Sequence, residues 1–344
     1  MDTFFVANCV KSWSKIYKFY TVLILYVISQ SQLSQCEKTV LTPNDISTMP
    51  ITIASYGPDV ARAKKYVYLS GAAYCFNIPA WKCPYCEKAQ GFGYDFHALI
   101  VNKQANTLAF IAINKELKEV VVTIRGTLNV ANVVQDIHPS ILSIETGSSP
   151  LGRGKSKGPE IRIHTGMINA TNSLYPEIVE KFGKVLKENE NFEVVLVGHS
   201  LGAAAASLTL FQLKEEIRLP ADFPTPKSYA YFGYGTPRLG NQAYADYWNG
   251  QAMQITRVIN KADFAAYTPP SLGGYVHHGN ELWLSPTGEE KVCSKTVYED
   301  PNCANSIASM SNLQDHLQYW DVEYLSCARA DPLATAGQFV IPVV

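Results

Sequence analysis

Apolar residues occur along this chain in two spacings, and each spacing predicts one kind of secondary structure. The β-branched run Val120-Val121-Val122-Thr123-Ile124 is typical of a strand that is buried on both faces. Apolar runs predict strands at residues 97–101, 107–113, 119–124, 192–197, 229–234 and 254–259. Helical spacing, or an Ala- and Leu-rich composition, predicts helices at residues 60–70, 168–186, 201–213 and 243–248.

The order of these elements predicts the fold class. After residue 160 the predicted strands and helices alternate. Because neighbouring parallel strands need a crossover, which is usually a helix, this alternation favours an α/β fold with a mainly parallel central sheet and helices on both faces. The three earlier strands follow one another without helices, and we expect them to form an antiparallel extension of the sheet.

Length and charge bound the class of protein. The chain has 344 residues, of which 47% are hydrophobic, and this is enough for one large domain. Its formal net charge is −1 and its pI is about 6.7. Such a balance offers no electrostatic attraction for a polyanion, so we expect no nucleic-acid partner. The oligomeric state stays open.

The N-terminus resembles a secretory signal. Lys11, Lys15 and Lys18 precede an apolar stretch at 19–28, and small and polar residues follow it. A membrane anchor is the alternative, but a span needs roughly 20 apolar residues. We therefore predict a signal peptide at 1–35, a pro-segment or loose arm at 36–58, and one folded domain at 59–344, and we expect the protein to be extracellular.

Cysteine usage agrees with export. The eight cysteines are Cys9, Cys36, Cys75, Cys83, Cys86, Cys293, Cys303 and Cys327. The six from residue 75 onward form an even set, which predicts disulfides in an exported chain. The pair Cys83-Pro-Tyr-Cys86 also resembles half of a zinc site. Its second half is missing, however, so we expect neither a metal nor another cofactor.

One short motif carries nucleophile chemistry. Gly198-His199-Ser200-Leu201-Gly202 fits the pattern G-x-S-x-G, directly after a predicted strand and directly before a predicted helix. A sharp turn between the two would expose the hydroxyl of Ser200, and the helix N-terminus would favour the negative charge that develops beside it. A serine that merely caps the helix is the structural alternative. The strand–turn–helix context favours the nucleophile.

A serine nucleophile needs a base and an acid, which follow it in this class of fold. His316 lies late in the chain, where the base is expected, whereas His277 and His278 come earlier. Asp263 follows a predicted strand and is the preferred acid. Two rivals are weaker, because Asp246 falls inside a predicted helix and Asp315 is adjacent to His316 in sequence.

These segments resemble the class 3 lipases, the family of the fungal Rhizomucor miehei type, over residues 72–327. The similarity rests on Val195-Leu-Val-Gly-His-Ser-Leu-Gly-Ala203, Thr123-Ile-Arg-Gly-Thr127, Gly233-Tyr-Gly-Thr-Pro-Arg-Leu-Gly-Asn241 and Asp315-His316-Leu317. The resemblance implies the triad Ser200, Asp263 and His316.

The same resemblance implies further site residues. Thr127 and Leu201 would form the oxyanion hole, and Tyr74 and Thr268 would lie near the substrate. A short helical lid would span residues 128–137, with the apolar residues Leu128, Val130, Val133, Val134 and Ile137. The implied disulfides are Cys75–Cys327, Cys83–Cys86 and Cys293–Cys303.

The lid and the acyl pocket depart from the family pattern. The lid is small and rather polar, and Ala265, Ala266 and Thr268 stand where the family often has larger apolar residues or proline. The sequence therefore predicts a serine carboxylic ester hydrolase, foremost a triacylglycerol lipase with transient contact to a lipid–water interface. A feruloyl-type esterase of plant cell-wall esters is the alternative, and a non-catalytic binding protein on the same fold is the third.

Overall fold

An eight-stranded sheet lies at the centre of the computed structural model, which describes residues 57–128, 160–307 and 312–329. The strands are β1 (Asp95–Asn102), β2 (Thr107–Asn114), β3 (Glu119–Ile124), β4 (Glu193–His199), β5 (Ser228–Tyr234), β6 (Gln254–Asn260), β7 (Glu281–Leu284) and β8 (Glu290–Val292), in that spatial order. Strands β3 to β7 are parallel, whereas β1, β2 and β8 pair antiparallel. The predicted α/β fold with its antiparallel extension is confirmed.

Helices surround this sheet. They are α1 (Val60–Ala72), α2 (Pro84–Gly91), α3 (Thr165–Glu188), α4 (Leu201–Lys214), α5 (Gln242–Asn249), α6 (Leu313–Leu317) and α7 (Ser326–Arg329). A small ribbon of β9 (Gln318–Tyr319) and β10 (Val322–Glu323) follows α6. Among the described residues, four short 3-10 helices lie in loops, at Ile78–Ala80, Phe264–Tyr267, Ser271–Gly273 and Ala304–Ser306.

Alternating side chains of the buried strands build two separate cores. Val120 and Val122 of β3 pack into a cluster with α3, α4 and α5, whereas Val121 between them packs into a second cluster with α1. Because successive strand residues point to opposite faces, a continuous apolar run is what a sheet covered on both sides requires. The β-branched run in the sequence therefore has its physical reason in this two-sided burial.

Some elements were not predicted from the pattern. The strands β7 and β8 have four and three residues, too few to show an alternation. Helix α2 has only eight residues and begins inside the Cys-x-x-Cys segment, so the apolar spacing in the sequence did not indicate it. Elsewhere the structure extends the predicted elements by a few residues.

Several predictions concern segments beyond the described residues. The signal peptide (1–35) and nearly all of the arm (36–58) precede residue 57. Of the lid, Leu128 is described and packs on the α1 side of the sheet. Val130, Val133, Val134 and Ile137 lie outside the described residues. Within the described ranges, no helix has the length and apolarity to cross a membrane.

Candidate active site

Ser200 lies on a sharp turn between β4 and α4. Its backbone has φ 59° and ψ −130°, a conformation that non-glycine residues rarely adopt and that costs about 1–3 kcal/mol. The Ser200 N–H donates to the carbonyl of Tyr234 at 2.9 Å, which attaches the turn to the end of β5. The sheet and the helix thus hold a strained serine at the carboxyl end of the parallel strands, where α/β folds place their sites.

Two glycines allow the backbone to form this turn without steric clashes. A Cβ on Gly198 would lie 2.3 Å from the carbonyl oxygen of Gly202. A Cβ on Gly202 would lie 2.2 Å from the carbonyl oxygen of Ile124, at the end of β3. Both distances are far below van der Waals contact, and both neighbours are backbone. The glycines of G-x-S-x-G are therefore needed because α4 begins directly against the strands.

The acid and base candidates form a buried pair. His316 Nδ1 lies 2.8 Å from Asp263 Oδ1, and both side chains are fully buried. Asp263 also accepts the backbone N–H of Ala265 and the hydroxyl of Tyr319. Since the carboxylate accepts, Nδ1 of His316 carries the proton and Nε2 is left with its lone pair. That nitrogen is buried and has no hydrogen-bond partner among the described residues.

Hydrogen bonds to the backbone hold together the two segments that carry Asp263 and His316. Asn260 at the end of β6 donates through Nδ2 to the carbonyls of Asp315 and Gln318 at 3.1 and 2.7 Å. The N–H of Ala262 donates to Asp315 Oδ2 at 3.2 Å, and the N–H of Asn312 donates to the carbonyl of Ala262 at 3.1 Å. Asp315 thus links the acid loop to the helix of His316 rather than pairing with the imidazole.

Gly235 gives this acid–base pair its space. Its φ is +56°, and a Cβ there would lie 2.5 Å from Asp263 Oδ2 and 2.9 Å from His316 Nδ1. Any side chain would therefore collide with both members. This is the physical reason for the second glycine of Gly233-Tyr-Gly-Thr-Pro-Arg. The sequence alone did not indicate that Gly235 lies beside the triad.

A second network runs from Gly126, after β3, to the backbone of His316 through Tyr74 and His199. His199 Nε2 lies 2.8 Å from the backbone carbonyl of His316. A carbonyl oxygen only accepts, so Nε2 carries the proton and Nδ1 accepts the Tyr74 hydroxyl at 2.8 Å. The same hydroxyl accepts the N–H of Gly126 at 3.1 Å. Tyr324 stacks on His199 with ring centroids 3.5 Å apart. This chain of contacts joins three segments of the site.

The burial of His199 has an electrostatic consequence. Desolvation, followed by the proximity of His316, lowers the pKa of His199 well below its ordinary value, so the ring stays neutral. A neutral ring can donate and accept as the network requires. The sequence suggested a role for Tyr74 only through the family resemblance, and it suggested none for His199. The position of His199 directly before Ser200 was the one sign in the sequence that it belongs to the site.

The proposed oxyanion donors lie on either side of Ser200. Leu201 is the first residue of α4, where a helix offers no carbonyl to the backbone N–H. Thr127 follows Gly126, whose Cβ position would be 3.1 Å from the Cβ of Ser200. Both N–H groups therefore belong to backbone adjacent to the serine, and a charge developing there would meet the positive end of α4.

The loop after Asp263 is clamped by an arginine. Arg238 Nη1 donates to the carbonyls of Tyr267 and Pro269 at 2.6 and 3.0 Å, and its backbone N–H donates to the carbonyl of Thr268 at 2.8 Å. Glu299 pairs with the guanidinium through two contacts. Thr268 itself bonds the carbonyl of Ala265 at 3.0 Å. Thr268 is thus held in a loop that directly follows the acid.

The rival residues have other partners. His277 Nε2 donates to the carbonyl of Ala266, and His278 Nδ1 donates to the carbonyl of Gly279. Burial is the main cause that lowers the pKa of both, for His278 to about 3. Asp246 lies on α5 and accepts from the side chains of Gln242 and Tyr298. These contacts account for all three residues without catalysis.

The six later cysteines form three disulfides, Cys75–Cys327, Cys83–Cys86 and Cys293–Cys303. The pairing is the one that the family resemblance implied. Sulfur atoms of Cys75, Cys83 and Cys327 lie within 4.8 Å of one another, as a metal site would also require. All three are engaged in disulfides, however, and a metal binds the thiolate.

The fold and this site define an α/β-hydrolase: a serine on a strand–turn–helix elbow, and a buried His–Asp pair from loops at the same end of the sheet. A family model described as "Lipase (class 3)" matches residues 121–272. The lipase of Rhizopus niveus is 26% identical over 284 residues, which cover 80% of this chain and 67% of the relative.

Two further comparisons agree. The secreted mono- and diacylglycerol lipase A of Penicillium cyclopium is 27% identical over 290 residues, covering 81% of this chain and 88% of the relative. The structure of the Rhizomucor miehei triacylglyceride lipase superposes with a TM-score of 0.66 at 23% identity, covers 78% of this chain and 96% of that one, and shows the shared fold. These comparisons support the class 3 lipase family for this chain, and the protein is a carboxylic ester hydrolase.

Proposed function

We propose that this protein is a secreted lipase that hydrolyses acylglycerols through Ser200, His316 and Asp263. The observation that carries the proposal is the buried 2.8 Å contact between His316 and Asp263. His199, the residue before Ser200, holds the backbone carbonyl of His316. The relatives named as lipases, with acylglycerol substrates in some of their names, support the substrate class.

In this proposal each residue has its own step. Ser200 Oγ attacks the ester carbonyl carbon while His316 Nε2 takes its proton, and Asp263 stabilises the imidazolium that forms. The N–H groups of Leu201 and Thr127, together with the Thr127 hydroxyl, donate to the oxyanion of the tetrahedral intermediate. His316 then protonates the leaving alcohol, and an acyl group remains on Ser200. Water, deprotonated by His316, attacks this acyl-enzyme and releases the carboxylic acid.

The nucleophile is tested by Ser200→Ala with a matched control. Ser207 lies on the same helix, is buried, and hydrogen-bonds the hydroxyl of Tyr244 at 2.9 Å. We expect Ser200→Ala to fold normally and to lose turnover by about a million-fold, as in other serine hydrolases, whereas Ser207→Ala keeps its activity. A Ser200→Ala protein that retains more than a few per cent of turnover on a p-nitrophenyl ester removes Ser200 from this role.

The substrate class is tested by comparing an emulsified triglyceride with methyl ferulate. Lipase activity predicts faster turnover on the emulsion and a rise in rate at the solubility limit. Val133→Trp should strengthen that rise and Val133→Asp should weaken it, because the sequence predicts that Val133 lies on the apolar face of the lid. Preferred turnover of methyl ferulate, with no break at the solubility limit in either variant, assigns the site to a feruloyl-type esterase.

Export is tested with a fusion of residues 1–40 to a reporter. The Lys-rich start and the short apolar stretch predict a cleaved reporter in the medium. An uncleaved reporter in the membrane fraction indicates an anchor instead.

A further inference from the structure

Two of the three disulfides in the described part of the chain are immediate neighbours. The sulfur atoms of Cys75, Cys83 and Cys327 all lie within 4.8 Å of one another, although Cys83 is bonded to Cys86 and Cys75 to Cys327. Thiol–disulfide exchange requires a thiolate beside a disulfide sulfur, and this cluster supplies that arrangement within one molecule. The third bridge, Cys293–Cys303, belongs to a different part of the core.

The Cys-x-x-Cys segment begins a helix in a way that suits a reactive thiolate. Cys83 is the N-cap of α2, and its Sγ accepts the backbone N–H of Cys86 at 3.0 Å. A helix N-terminus and a donated N–H both stabilise a thiolate at this position. Within this pair, Cys86 is 0% exposed and Cys83 is 8% exposed, so Cys83 is the more accessible of the two, while Cys327 of the neighbouring bridge is partly buried.

The segment that carries Cys327 is tied to the same helix. The hydroxyl of Tyr85 on α2 donates to the carbonyl of Glu323 at 2.9 Å and lies 2.9 Å from Ser326 Oγ. These contacts do not involve sulfur, so they keep Cys327 close to Cys83 when the disulfides open.

We propose that Cys83 and Cys86 are a redox-active pair that exchanges electrons with the Cys75–Cys327 bridge. An external dithiol reduces Cys83–Cys86 and leaves as its own disulfide. The Cys83 thiolate then attacks one sulfur of Cys75–Cys327, forming a mixed disulfide and releasing the other sulfur as a thiolate.

Cys86 next attacks Cys83, which restores the Cys83–Cys86 bridge and releases the second thiolate. The two protons of the dithiol end on Cys75 and Cys327. The net reaction moves two electrons from the dithiol to the long-range bridge, and the reverse sequence, driven by a disulfide oxidant, closes it.

The exchange would reach the hydrolase site. Cys75 directly follows Tyr74, and Cys327 lies three residues after Tyr324, whose ring stacks on His199. Opening this bridge releases a cross-link between residues 252 apart in the chain, beside both rings that hold His199. This consequence rests on the proposed role of the site, whereas the exchange itself does not.

A trapping experiment tests the exchange directly. In Cys86→Ser, Cys83 is left as a free thiol beside an intact disulfide. After incubation at pH 8 without denaturant, acid quenching and peptide mapping, we expect Cys83 linked to Cys75 or Cys327, with the displaced partner free. Cys83→Ser is the matched control, and its buried Cys86 should stay a free thiol. A map of Cys86→Ser that contains only Cys75–Cys327 and free Cys83 overturns the proposal.

Reduction kinetics test the same relay in folded protein. With limiting dithiothreitol, we expect Cys75–Cys327 to open about tenfold more slowly in Cys83→Ser/Cys86→Ser than in wild type, because the relay is absent. Cys293→Ser/Cys303→Ser should reduce at the wild-type rate. Equal or faster opening in the first double variant contradicts the relay. Mapping wild type after partial reduction, where every side chain is native, should show the mixed disulfide as an intermediate, and its absence also overturns the proposal.

Discussion

The hydroxyl of Tyr74 is the point where removing one atom should disturb both stability and turnover. Tyr74 is buried, and its oxygen joins the N–H of Gly126 at 3.1 Å to Nδ1 of His199 at 2.8 Å. Tyr74→Phe keeps the ring and leaves both of those groups buried without a partner. Each such group costs about 1–3 kcal/mol, so the free energy of unfolding should fall by roughly 2–6 kcal/mol.

Tyr324→Phe is the matched control. Its hydroxyl contacts Ser70 Oγ at 2.7 Å, and Ser70 keeps a second bond to the carbonyl of Val67 at 2.8 Å. No buried group loses its last partner there, so the expected loss is about 0.5–1.5 kcal/mol. Urea unfolding, followed by tryptophan fluorescence, gives both values.

Turnover should respond as well, because His199 holds the backbone carbonyl of His316 in place. We expect kcat of Tyr74→Phe to fall by about tenfold, equivalent to roughly 1.4 kcal/mol of transition-state stabilisation, with KM nearly unchanged. A Tyr74→Phe enzyme that is no less stable than Tyr324→Phe and has wild-type kcat would refute the network as we derive it.

Three other substitutions test separate features of the site and core. Gly235→Ala adds a methyl group 2.5 Å from Asp263 Oδ2 at a positive φ, so kcat should fall at least a hundredfold, and an active Gly235→Ala enzyme argues against the derived geometry of the acid–base pair. Thr127→Val removes the side-chain hydroxyl, the donor proposed beside the Thr127 N–H, so kcat should fall by about 10²–10³ with little change in unfolding, and a wild-type kcat would remove the hydroxyl from this role. Burial lowers the pKa of His278 to about 3, so between about pH 6.5 and 3 the unfolded chain binds a proton that the folded protein does not, and stability falls as the pH falls. His278→Gln should therefore reduce the slope of unfolding free energy against pH by about 1.4 kcal/mol per pH unit in that window, and an unchanged slope would contradict a neutral buried His278.

The sequence alone determined the features that depend on local pattern. The β-branched run at 120–124 and the alternation after residue 160 are enough to predict a parallel sheet covered on both faces, because strand and helix periods are properties of the chain itself. The elbow was equally local, since the strand, the glycines and the helix that it needs are contiguous in sequence. Ser200 could thus be named before any contact was known.

Only the tertiary structure decided what the distant segments do to one another. Gly235 and His316 are 81 residues apart, and Tyr74 and His199 are 125 apart, so no periodicity connects them. The same is true of Asp315, which sequence reasoning ranked below Asp263 as the acid and which the fold uses to hold the acid loop. The physical reason is that hydrogen bonds and steric exclusion depend on distances of a few ångströms, which chain order does not encode. They are settled when the loops at the carboxyl ends of β3, β4, β5 and β6 meet above the sheet.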